Sequence, residues 1–181
     1  YQLTLDIKDY DEQVLQQLGT NAFWLGQLYY DKKEFDQAHI SFEQYRDVSI
    51  LSNRLNPDSV EALMEVAYAN STLGSLAAKQ QQYAQAKESF EQAFKMMEKV
   101  ARQRVNDVNV LTDMSDTLSW LATTAQHLGQ LDEASRQHEQ AQDILQKALQ
   151  IDDNNAFIIE SLMILHWQKA KTQLYLGAFD A

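Results

Sequence analysis

Leu25-Gly26-Gln27-Leu28-Tyr29 and, a few residues on, Phe35-Asp36-Gln37-Ala38-His39-Ile40-Ser41-Phe42-Glu43-Gln44-Tyr45 decide the fold, because their apolar and small positions return at a fixed distance. Leu25, Gly26, Tyr29, Phe35, Ala38, Phe42 and Tyr45 become Leu73, Gly74, Ala77, Tyr83, Ala86, Phe90 and Ala93 at a step of 48 residues. The next step gives Leu121, Ala122, Ala125, Leu131, Ala134, His138 and Ala141, and a third reaches Lys169, Ala170, Gln173 and Phe179. The sequence is therefore an internal repeat, with units of about 11–57, 58–105 and 106–153 and a half unit over 154–181.

Within each unit the apolar residues recur at three- and four-residue steps, the signature of amphipathic helices. Val14, Leu15, Leu18, Ala22, Leu25 and Tyr29 mark a first helix, A, and Phe35, Ala38, Phe42, Tyr45, Val48 and Leu51 or Ser52 a second, B. Lys32-Lys33 supplies the turn between them, so the two form an antiparallel hairpin. Asn56-Pro57-Asp58 divides one unit from the next, with Asn106 and Asn154 one and two periods beyond Asp58 as helix caps. The expected helices are 11–31, 34–55, 58–80, 83–104, 107–128, 131–150 and 155–176, in an all-α chain. Tyr1, Leu3, Leu5 and Ile7 alternate with Gln2, Thr4, Asp6 and Lys8, but no second strand candidate exists to pair with them, so residues 1–10 read as an extended or frayed lead-in.

Gly26, Gly74, Ala122 and Ala170 form a small-only column on the A helices, as a close crossing with B requires. Ala38, Ala86 and Ala134 are expected opposite them, with Phe42, Phe90 and His138 filling the adjacent gap. Phe179 falls in the column of Phe35, Tyr83 and Leu131, each of which opens a B helix, so it is expected to open a fourth.

Composition limits function. One proline and five glycines among 181 residues leave little irregular chain on which to mount a catalytic loop. A net charge of −11 repels phosphate backbones and anionic lipid, which disfavours nucleic acid. No cysteine is present, which removes disulfides, thiolate zinc sites and thiol nucleophiles, and suits cytoplasm and periplasm alike, the cytoplasm being slightly preferred. No run approaches the roughly 20 apolar residues of a membrane-spanning helix, so insertion is not expected. His39, His127, His138 and His166 lack metal-ligand spacing with one another, and no glycine-rich phosphate loop occurs. His138, in the Phe42 and Phe90 column, reads as packing. Neither a cofactor nor a metal is expected.

Leu25-Gly26, Tyr29, Ala38 and Phe42 match in order and spacing the pattern of the tetratricopeptide repeat, and Leu73-Gly74, Tyr83, Ala86, Phe90 and Ala93 do so again. The chain resembles that family over about residues 11–181, with a longer period than the usual 34 residues. Seven extra residues per helix turn it by about 700°, within roughly 20° of two full turns, so the added length stays on the same face. The resemblance implies a right-handed α-solenoid whose A helices line a concave groove that binds a peptide or protein segment without chemistry. By column, the groove positions are Phe23, Gln27 and Tyr30, with Thr20 and Asp31 beside them; Tyr68, Ser71, Ser75 and Lys79; Ser119, Thr123 and His127; and Trp167, Lys171 and Tyr175. Members that clamp an acidic chaperone tail carry lysine, asparagine and arginine where Phe23, Gln27, Ser71, Ser75, Ser119 and Thr123 stand, so such a clamp is not expected. Long-period arrays also resemble those attached in bacteria to signalling domains, implying a larger regulatory protein.

The last A helix carries apolar residues on more than one face, from Phe157 to Leu176. A helix apolar nearly all round expects burial on several sides. Self-association as a homodimer through this helix, using Ile158, Leu165 and Trp167, is one expectation. A structural spacer with no separate ligand is the alternative to a groove binder.

Overall fold

The computed structural model describes residues 11–179 and builds them as seven α-helices. They are α1 (Glu12–Asp31), α2 (Phe35–Leu55), α3 (Val60–Lys79), α4 (Tyr83–Gln103), α5 (Val108–His127), α6 (Leu131–Ile151) and α7 (Ala156–Phe179). Successive odd-numbered helices begin 48 residues apart, at Glu12, Val60, Val108 and Ala156. The lead-in expected over residues 1–10 lies outside the described residues.

The caps sit one position later than the sequence suggested. Asp11, Ser59 and Asp107 precede α1, α3 and α5, and each side chain accepts from a backbone N–H of the first turn. Asn155 does the same for α7, accepting from the N–H groups of Phe157 and Ile158 at 3.1 and 3.3 Å. Asn106, expected as a cap, instead takes φ +64°, the left-handed region that asparagine tolerates better than most side chains. Its backbone reverses the chain, and the following residue is left extended and able to cap.

The A-to-B turns also share a conformation. Lys33, Gln81 and Gly129, one period apart, have φ of 62°, 61° and 74°. Gly177 occupies the fourth place in that column, yet the chain stays helical through Phe179. Phe179 therefore continues α7, where it was expected to open a new helix. The left-handed turn is held in the other units by a B helix that returns against its A helix, and none returns against α7 among the described residues.

Hairpin packing rests on a single exchange of bulk. A Cβ on Gly26 would lie 2.4 Å from the Phe42 ring, and one on Gly74 would lie 2.9 Å from Phe90. The small A-helix column thus receives the large B-helix ring directly, where it was expected to face Ala38 and Ala86. Phe42 and Phe90 are fully buried, each worth about 1.5–3 kcal/mol of apolar transfer. In the third unit Ala122 replaces the glycine and the smaller ring of His138 replaces Phe, both without exposure.

Each A helix has two apolar columns, which a single stripe in the sequence merged. Leu15, Gly19, Ala22 and Gly26 are buried in α1, while Val14, Leu18 and Leu25 are exposed. One period on, Ala62, Val66 and Leu73 of α3 occupy the latter column and are buried. The difference is that α3 packs on the preceding α2, as α5 does on α4 and α7 on α6. Among the described residues nothing precedes α1. An ion pair also joins the second unit to the third, Lys87 to Glu133 at 2.7 Å, and Arg104 pairs with Glu61 within the second. Such surface pairs add about 0–1 kcal/mol each.

Candidate functional site

The A helices place side chains of the expected groove into two clefts. Phe23 of α1 and Tyr68, Ser71 and Ser75 of α3 share a cleft of about 510 Å³ with Trp24, Tyr45 and Glu65. His127 of α5 and Lys171 and Tyr175 of α7 share another of about 640 Å³ with Leu131 and Asp132. Between them Ser119 and Thr123 are turned onto their own helix, donating to the carbonyls of Ser115 and Ser119 at 3.0 and 2.9 Å.

The first cleft has an aromatic wall. Phe23 meets Trp24 edge-on at 5.2 Å and Tyr45 at 5.6 Å between ring centroids. Phe23 is also held from below, 6.3 Å from Phe42 in the hairpin core, so the wall stands on the same ring that fills the Gly26 gap. Tyr45 Oη donates to Glu65 Oε2 at 2.6 Å, and Tyr68 Oη donates to Asp113 Oδ2 at 2.8 Å. Burial, and then the carboxylate partner, pushes both phenols up, which keeps them protonated donors.

Glu65 and Asp113 are one period apart, and each is grasped by a tyrosine of an earlier helix. Burial raises the Asp113 carboxyl, against the lowering effect of the Tyr68 hydrogen bond. Asp116, one turn further along α5, is pushed up to about 6 by burial of its carboxyl and by the Asp113 charge. The A-helix face is acidic through its middle.

The second cleft is mixed. His127 stacks flat on Tyr83 at 4.1 Å, and the Lys171 ammonium lies 5.7 Å from the Trp167 ring and 6.0 Å from the Tyr175 ring. Other expected groove residues are engaged locally. Gln27 donates to Asp31 at 3.0 Å, and Tyr30 packs on Phe35 at 5.9 Å as part of the core under the turn. Lys79 is exposed at the end of α3, beyond either cleft.

Two residues expected on a free face of α7 belong to the core. Ile158 and Leu165 are buried against α5 and α6, because they occupy the column that faces the preceding B helix. Trp167 is 66% exposed, and Met163 at 68% and Leu174 at 72% join it. Sequence reasoning missed Trp24, Tyr45, Glu65 and Asp113. The available signal was that Trp24 and Tyr45 stand where the second unit has Thr72 and Ala93.

Among the described residues no group of three or more His, Cys, Asp or Glu side chains is placed to hold a metal ion. No helix among the described residues is long and apolar enough to cross a membrane. Stacked antiparallel hairpins with aromatic clefts along one row of helices define an α-solenoid of the interaction-module class. Residues 67–99 and 122–155 match the family model described as Tetratricopeptide repeat, and over these stretches the chain carries tetratricopeptide repeats. None of the curated proteins matches the chain. Among solved structures it is similar to the C-terminal TPR-containing domain of a putative FK506-binding protein of Plasmodium falciparum. That pair is 18% identical over 93% of this chain and 99% of the other, with a TM-score of 0.45. It is also similar to the MamA protein, 16% identical over 91% and 90% of the two chains, with a TM-score of 0.33.

Proposed function

We propose that this chain is a non-catalytic interaction scaffold, part of a larger regulatory protein, that binds a peptide or protein segment along its A-helix face. The observation that carries this reading is the α1–α3 cleft, in which four residues of the expected groove meet around partly exposed aromatic rings. Aromatic residues at a half-open cleft supply contact area at small entropic cost, the common currency of binding hot spots. Tetratricopeptide repeats serve as protein-binding modules.

Panning the whole chain against a random dodecapeptide library tests it. Binders that lose affinity to Ser75→Glu on the A-helix face, but not to Gln92→Glu on the exposed side of α4, are expected. Binders that respond to Gln92→Glu alone would overturn the assignment of the face.

A second reading, self-association without a separate ligand, is favoured by the free side of α7. Met163, Trp167 and Leu174 are exposed together on that terminal helix, and a contiguous apolar patch marks an interface. A two-fold dimer in which each α7 covers the other is its simplest form.

A further inference from the structure

We infer that the α1–α3 cleft is a receptor for a lysine or arginine side chain of a bound protein segment, held over the Trp24 and Phe23 rings with its charge on Glu65. This deepens the groove reading and rests on it. The argument begins from the repeat itself, which supplies an internal control for what the fold requires.

The second unit builds the same hairpin with Ser71 where the first has Phe23, Thr72 for Trp24 and Ala93 for Tyr45, and the third has Asp116 for Tyr68. None of these four aromatic positions is therefore demanded by the packing of an A–B pair. They are nevertheless gathered in one cleft. Trp24 is 63% exposed although it is the largest side chain there, so burying it in the core is not its role. Its edge-on contact with Phe23, and that of Phe23 with Tyr45, form a continuous wall that ends at a carboxylate.

That carboxylate is oriented and uncompensated. Tyr45 fixes Oε2 of Glu65 by a 2.6 Å hydrogen bond, and no ion pair among the described residues engages Glu65. The carboxylates around it, Glu61 on the same helix and Asp113 and Asp116 on α5, are acidic too, and the cation near them, Arg104, is taken by Glu61 and Asp107. An aromatic face attracts a cation through its quadrupole, and the attraction grows as the cation leaves water. A carboxylate at the end of the wall then receives the ammonium or guanidinium by a charge-assisted hydrogen bond. An acidic ligand meets repulsion here, and a purely apolar one desolvates Glu65 without supplying a counter-charge. The net charge of −11 steers basic segments towards the chain and acidic ones away.

The test pans a random dodecapeptide library in parallel on the whole chain and on its Trp24→Ala and Glu65→Gln variants. Both are first checked for unchanged helix content and denaturation midpoint, which the exposure of Trp24 and the retained acceptor of Gln favour. Peptides selected on the unsubstituted chain are expected to share a lysine or arginine at one position. Replacing that residue by norleucine or citrulline weakens binding about tenfold or more, and the replacement has little further effect on Trp24→Ala. Selected peptides with no shared cation overturn the receptor assignment while leaving the groove reading intact. So does a shared cation whose replacement costs the same on Trp24→Ala as on the unsubstituted chain. A library that yields no binder overturns the groove reading, and this inference with it.

Discussion

Gly74 and Ser75 are neighbours with opposite surroundings. A Cβ on Gly74 would press on the Phe90 ring, whereas Ser75 opens into the α1–α3 cleft. Gly74→Leu is expected to lower stability by about 1–3 kcal/mol or more through overpacking, and Ser75→Leu to change it little. Denaturant midpoints compare the two, and equal shifts would contradict the column assignment. His138 shows the same exchange incompletely made. It is fully buried with both ring nitrogens lacking a partner, a cost on the order of 1–3 kcal/mol. Restoring phenylalanine requires room, so His138→Phe paired with Ala122→Gly is expected to exceed either single variant in stability by more than their sum. A thermal denaturation cycle over the four proteins measures that coupling. The pH dependence carries a second signature. Burial, with help from the Lys169 charge, lowers His138 from 6.5 to about 4. The unfolded chain then takes up the proton first, so this group's stability is whole above pH 6.5 and is lost as pH falls to about 4. The paired variant loses that part of the acid sensitivity. Asp116 runs the other way, its folded carboxyl at about 6 favouring the fold at acid pH and the benefit fading as pH rises through 6.

At the scale of elements, the helices follow from caps and columns. Asp107 accepts from two backbone N–H groups at the start of α5, and Asp107→Ala is expected to cost about 0.5–2 kcal/mol. Asn154→Ala, one residue before the true cap of α7, is expected to leave the midpoint unchanged, while Asn155→Ala lowers it. Chemical denaturation of the three variants decides which position caps. The repeat made the helices legible because every column is read three or four times, so a single ambiguous residue is outvoted by its counterparts. The cap error arose because Asp58 and Ser59, like Asn106 and Asp107, are both competent, and only backbone conformation chooses between them. The site was less legible. Tyr45 reaching Glu65 and Tyr68 reaching Asp113 are contacts between different helices, and they depend on how far each helix is offset along its neighbour. That offset is a property of assembled helices, and no periodicity within one helix encodes it. Ile158 and Leu165 were misplaced for a related reason. A helix apolar on several faces does not announce which face its neighbour takes.

For the whole molecule, the ends differ from the middle. The column filled in α3 by Ala62, Val66 and Leu73 is bare in α1, and α7 leaves Met163 and Trp167 uncovered. An exposed apolar patch such as that of Met163, Trp167 and Leu174 marks an interface. Sedimentation is expected to show association that strengthens with concentration and is abolished by Met163→Glu together with Trp167→Glu. A chain that stays monomeric at high micromolar concentration would count against it. Ile158→Glu and Leu165→Glu are poor probes of the same question, since both residues hold α7 to the rest and their loss would release the helix.

The helices pack almost wholly in chain order, α1 on α2, α2 on α3 and so to α7, with only lesser contacts out of order, such as that between α5 and α7. Nearly every stabilising contact thus closes a short loop of chain, and short loops close cheaply and fast. Any hairpin can serve as the starting point for folding, and the rest can be added from either side. Growth in that manner has no preferred direction, so a ribosome delivering the chain from its amino terminus would allow each hairpin to settle before the next arrives. Rupture under load should likewise occur one hairpin at a time, as a series of small steps in place of a single cooperative break.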